Sequence, residues 1–200
     1  EVIVADLTNG EPTPAGSVEI RAAETARASQ ALGLKTRLCL GLPNRYVMNT
    51  LEYRVIVASA IRQHQPRWLF TVAQPDAHPD HIHAQELVDD ARFAAKLTKT
   101  DMPFQPHYPD KIIYFYASHL RAHPNPSFLV DVTAQWDRKI AALEAYQSQF
   151  WQHDKGRGPG WIIDYITTYC RYFGSRINVK YAEPFLCREP VGLAHLDALL

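Results

Sequence analysis

The sequence predicts an α/β protein: a three-layer, Rossmann-like, mostly parallel sheet flanked by helices. Three observations carry this. Short runs, VIVADL (2–7), TRLCL (36–40), RWLFTV (67–72), KIIYFYA (111–117) and FLVDV (128–132), are too short for helices and read as strands, the continuous apolar VIVADL as a buried one. Segments with helical patterning lie between most of them, which is the connection that parallel pairing demands. Loops bearing Gly or Pro punctuate the junctions. Right-handed crossovers then bring the strand-to-helix loops 8–17, 41–49 and 73–80 to one edge of the sheet, beyond the carboxyl ends of the strands, where ligands bind in such folds.

Each element has local chemistry behind it. Ser17 is placed to cap an Ala-rich helix over VEIRAAETARASQAL, Glu19 suits its positive end, and Gly33 closes it. Asn49 with Glu52 resembles a capping box for the helix TLEYRVIVASAIRQH. Asp80 is the expected cap of a third helix running to about Leu97. A helix is expected over 133–150. After the loop KGRGPG comes a last helix around 161–176, and the aromatic tail beyond it is expected to pack.

Two hundred residues, 46% of them apolar, fit one domain over 1–200. The 21 basic and 21 acidic residues cancel, which removes the electrostatic case for nucleic acid or an anionic membrane as a partner. No apolar run approaches a membrane span, and the sequence as given opens with no basic-then-apolar leader. The three cysteines, Cys39, Cys170 and Cys187, are widely spaced, so a reducing, cytoplasmic location is expected.

The window AQPDAHPDHIHAQELVDD (73–90) holds three of the nine histidines. Pro79 fixes its own φ and pushes His78 toward an extended conformation, so His78 belongs to the loop and His81 to the start of the helix. The two imidazoles then need not face the same way. One can bind a metal while the other meets a substrate. Asp80 can fix a histidine tautomer through its carboxylate. His83 reads as a solvated helix residue. Two histidines alone fall short of the three protein ligands of a catalytic zinc site. Arg21, in the first turn of the first helix, can meet an anionic group or merely pair with Glu24.

In their order along the chain, DLTNGE (6–11), GSVEIRAAETARASQALG (16–33), LGLPNR (40–45), HPDH (78–81), LVDVTAQWDRKIAALEAYQSQF (129–150) and RYFGSRINVKYAEPF (171–185) resemble the PIG-L / LmbE-like deacetylases, in particular the bacillithiol-biosynthesis branch that acts on N-acetylglucosaminyl-malate. The resemblance implies zinc-dependent (Zn2+) hydrolysis of an N-acetyl group on a small amino-sugar substrate. It implies His81 as metal ligand, His78 as acid or oxyanion stabiliser, Asp80 as the residue orienting His78, and Arg21 as a substrate contact. It also implies self-association as a trimer or hexamer. The family's A-H-P-D-D motif does not occur here. AHPD at 77–80 is part of HPDH itself, and AHPNP at 122–126 lacks both aspartates. The resemblance therefore implies that the family's first strand, loop and helix fall outside this sequence. Asp6, His83 and His119 are the substitute ligands the chain offers, and a sugar- or partner-binding domain without catalysis is the alternative.

Overall fold

A computed structural model describes residues 1–119, 125–153 and 156–198. In chain order the elements are β1 (Ile3–Asp6), α1 (Val18–Leu32), β2 (Thr36–Cys39), α2 (Leu51–His64), β3 (Trp68–Val72), α3 (Pro79–Ala95), β4 (Lys111–Phe115), β5 (Phe128–Asp131), a 3-10 turn (Thr133–Gln135), α4 (Trp136–Glu144), α5 (Gln147–Phe150), α6 (Trp161–Ser175), β6 (Ala182–Leu186) and a final 3-10 turn (Leu196–Ala198). The chain divides into two compact units, residues 1–44 with 129–183 and residues 45–128 with those from Pro184 on.

In the first unit, β1 and β2 pair in parallel from Ile3↔Thr36 to Asp6↔Cys39. The Arg37 fork closes on the Asp6 carboxylate at 2.7 and 3.0 Å. The Ser17 hydroxyl accepts the Ile20 N–H, and Gly33 ends α1 at φ 69°, a left-handed turn that glycine adopts without steric penalty. Ala28, Ala142 and Ala145 form a buried seam between α1 and α4, with Tyr146 beside it. Glu24, 1% exposed, accepts the Ser148 N–H at 2.7 Å and the Ser148 hydroxyl at 2.9 Å. Within α6, a Cβ on Gly174 would lie 2.7 Å from the Val179 carbonyl oxygen, so glycine is required where the chain turns back. The helix expected over 133–150 is broken. A 3-10 turn precedes α4, and α4 gives way to the short α5 beyond Ala145 and Tyr146.

In the second unit, β3 pairs with β4 in parallel from Trp68↔Lys111 to Val72↔Phe115. β6 lies in the tail that was expected only to pack. It runs antiparallel to β4 (Tyr114↔Leu186, Phe115↔Phe185). The sheet is therefore mixed. α2 packs on α3, burying Val57, Ala58 and Ile61 from one helix and Leu87, Ala91 and Ala95 from the other. Removing Leu87 from water contributes about 2 kcal/mol.

The cap of α2 is Thr50, whose hydroxyl accepts the Tyr53 N–H, and not the expected Asn49. Asn49 instead bridges helices, donating to Asp90 at 2.8 Å and accepting from Arg54 at 3.1 Å. Arg62, 3% exposed, donates to the carbonyls of Ala95, Leu97, Met102 and Phe104, so a buried cation closes the negative end of α3. α3 is thereby held firmly at its carboxyl end, and its amino end carries the histidines.

Candidate metal centre

Parallel pairing of β3 with β4 sends both chains out at the same edge. Asp76 lies four residues beyond Val72, and His119 lies four residues beyond Phe115, the partner of Val72 in the register. The strand pairing thus converges two residues that the sequence separates by more than forty positions.

His78 is the cap of α3, with Pro79 at the first helical position. This corrects the expectation that Asp80 would cap. His78 is extended (φ −94°, ψ 119°), as the following proline requires, and its Nδ1 accepts the Asp80 N–H at 3.1 Å. A ring that accepts at Nδ1 carries its neutral-form proton on Nε2. That nitrogen is thereby an N–H donor. The Asp80 carboxylate turns away from this task and accepts the Arg45 N–H at 2.7 Å. Asp80 therefore orients His78 through its backbone, and its carboxylate ties residue 45 to the start of α3.

The Asp76 side chain is 3% exposed. One oxygen accepts the His78 N–H at 2.7 Å, and the other meets His81 Nδ1 at 3.0 Å. Burial pushes the Asp76 carboxyl up. The hydrogen bonds from His81 and His78, with the charges of His81 and His119, outweigh that and hold it below its usual value, as carboxylate. The His78 and His81 rings do face the same way. They stack with centroids 4.8 Å apart and planes at 17°, because positions three apart at a helix start share a side. His119 meets both edge-on, at 5.4 and 4.9 Å.

Asp76, His81 and His119 each offer one ligand atom, and these atoms lie within 4.8 Å of one another. Two imidazoles and one carboxylate are a donor set that zinc takes, leaving a position open for reaction. The residues present fit such an ion, with modest closure of the cluster to reach bond lengths of about 2.0–2.2 Å.

His81 and His78 thus stand together. His119, one of three substitutes the sequence offered, joins them. Asp76, which no motif singles out, sits inside the same window, 73–90. His83 pairs with Glu86 at 3.4 Å along the helix, and Asp6 is engaged by Arg37. Arg21 belongs to the other unit. There it lies 3.6 Å from Glu11, donates to the Gly10 carbonyl and covers the Tyr146 ring, and the expected pairing with Glu24 is displaced by Glu24–Ser148. Residues 122–124 of AHPNP lie outside the described residues.

Residues 1–92 of the chain match the model of the PIG-L family, described as GlcNAc-PI de-N-acetylase. The chain is 26% identical over 189 residues to diacetylchitobiose deacetylase of Thermococcus kodakarensis, covering 88% of this chain and 65%, just under two thirds, of that relative. The crystal structure of the conserved protein TT1542 from Thermus thermophilus superposes with a TM-score of 0.84 at 36% identity, over 95% of this chain and 82% of the other. GalB of Pseudomonas putida KT2440, a 4-carboxy-2-hydroxymuconate hydratase, has the same fold, with a TM-score of 0.73 at 20% identity over 94% and 78% of the two chains. One fold therefore carries unlike reactions, and the reaction has to be argued from the site. The family is settled by the extent of the likeness to TT1542 together with the match over the first 92 residues: this chain belongs to the PIG-L family.

Proposed function

We propose that the protein removes the N-acetyl group from an N-acetylglucosaminyl-type substrate with the help of zinc. N-acetylglucosaminyl-malate and diacetylchitobiose are candidates of that class. The observation that carries the reading is the Asp76–His81–His119 cluster with His78 stacked on His81.

Asp76, His81 and His119 would hold the ion. When bound, zinc supplies an activated water at neutral pH and polarises the amide carbonyl. The rest belongs to the chain. His78 offers Nε2–H as a donor to the oxygen that gains charge when water adds to the acetyl carbon, an interaction stronger in the transition state than before it. Its ring is locked at Nδ1 by the Asp80 N–H, so the donor is aimed before substrate arrives. Completion breaks the C–N bond, with acetate leaving and the sugar nitrogen taking up a proton. Arg21 as a substrate contact and self-association as trimer or hexamer belong to the same proposal. Light scattering checks the last.

The test is bound zinc per chain by elemental analysis, followed by acetate release from diacetylchitobiose and N-acetylglucosaminyl-malate. Stoichiometric zinc with acetate release supports the reading. Zinc without acetate release would leave a sugar-binding domain, and absence of zinc after reconstitution would remove the hydrolase.

A further inference from the structure

A cavity of about 220 Å3 opens in the second unit at the far end of α3 from the histidines, lined by Asp89, Arg92 and Phe93 of α3, Ile112 and Tyr114 of β4, and Tyr108. Its rim is closed by Arg188 and Glu189, beyond β6. The two sides of the main ion pair differ in kind. Arg92 is 12% exposed and is held from behind. Its Nε donates to the Pro109 carbonyl at 2.9 Å, one terminal nitrogen donates to the Asp110 carbonyl at 2.7 Å, and the guanidinium lies 4.4 Å from the Tyr108 ring centre. The remaining nitrogen meets the Glu189 carboxylate at 3.3 Å. Glu189 is 51% exposed. Its other oxygen lies 3.6 Å from Lys111 Nζ, and residues 190–197 after it are exposed.

A fixed, largely buried guanidinium beside an ammonium, under aromatic walls, is a receptor for a carboxylate carrying a ring. Glu189 makes the two contacts that such a ligand's carboxylate would make. Half-exposed ion pairs of this kind contribute little, so the pair opens readily. The ring of an incoming acid would add contacts with Phe93, Tyr108 and Tyr114 that a glutamate side chain cannot. We propose that this cavity binds a small aromatic carboxylate, with Glu189 as a tethered competitor for Arg92 and Lys111. The site is separate from the metal centre and independent of the deacetylase reading.

The probe is benzoate, with benzyl alcohol as its uncharged counterpart, titrated into the 200-residue protein and followed by amide NMR shifts. Benzoate is expected to give saturable shifts at residues 108, 110–114, 188 and 189, and benzyl alcohol none. Glu189→Gln removes the tethered competitor and should tighten benzoate binding about tenfold, an effective-concentration effect. Lys111→Gln, which removes the ammonium beside Glu189, should weaken it severalfold, and Arg92→Gln, with its fold checked by circular dichroism, should abolish it. No saturable binding in either wild type or Glu189→Gln would overturn the proposal. So would equal shifts with benzyl alcohol, or weaker binding in Glu189→Gln.

Discussion

Glu24 and Asp76 are both buried carboxylates, and each accepts one backbone N–H and one side-chain contact. Glu24 takes both from Ser148 (2.7 and 2.9 Å). Asp76 takes a backbone N–H from His78 at 2.7 Å and meets the His81 ring at 3.0 Å. Equal counts of hydrogen bonds conceal different chemistry. The Ser148 hydroxyl spends its remaining capacity inside the protein, accepting from Gln149 Nε2 at 2.7 Å, and Glu24 with its partner lies fully inside the first unit. An imidazole has a second nitrogen, and His81 is 30% exposed in its side chain, with His78 and the exposed His119 around it. Burying a carboxylate is expensive unless it is bonded. At Glu24 that arrangement fastens α1 to α5, and at Asp76 it holds together the candidate metal cluster.

The largest expected effects fall on the Asp76 side of this comparison. His81→Ala should lower zinc affinity by more than about 100-fold, beyond the 10–100-fold typical of losing an outer partner. His78→Ala should retain the metal and lose about 10²–10³ in kcat, the usual range for removing one oxyanion donor. Equilibrium dialysis with zinc and steady-state acetate release separate the two. Retained zinc in His81→Ala, or an unchanged rate in His78→Ala, would remove those roles. Asp76→Asn keeps size and keeps an acceptor for the His78 N–H. It should weaken zinc by at least about tenfold while the melting temperature moves little, and the reverse pattern would make Asp76 a second Glu24.

On the other side, Glu24→Leu should leave zinc binding untouched and destabilise by about 1–3 kcal/mol, because the Ser148 N–H stays buried without its acceptor. Urea unfolding with an unchanged m-value reads this directly. A zinc effect of the same size as the stability effect would break the contrast between the two carboxylates.

Some of this was legible in the sequence. The strand runs, Ser17, Gly33 and the HPDH window all stand where the pattern put them, because each is decided by neighbours in the chain. His78 as cap was also readable, since Pro79 is favoured at the first helical position. Asp76 was harder to see. Its role depends on the register of β3 with β4, which no local pattern states. β6 was hidden because AEPFL carries a proline and a glutamate and lacks the continuous apolar run of a central strand. The break after α4 falls at Ala145 and Tyr146, with no Gly or Pro to announce it. There the alanine seam and the Glu24–Ser148 contact decide, and both join residues more than a hundred positions apart.

The smallest expected effect is at Asp6, the ligand substitute that the structure engages elsewhere. The Asp6 and Arg37 side chains are 31% and 19% exposed, and their fork is a surface pair on parallel strands. Arg37 is held above its ordinary pKa. Burial works against this, and the hydrogen bond and charge of Asp6 outweigh it. Pairs of this exposure contribute about 0–1 kcal/mol, so Arg37→Gln should shift the unfolding midpoint slightly and leave zinc stoichiometry unchanged. If Asp6 were instead a ligand, releasing it from Arg37 would raise zinc affinity. A tighter zinc isotherm in Arg37→Gln would therefore move the metal centre toward Asp6, and an unchanged isotherm keeps it at Asp76, His81 and His119.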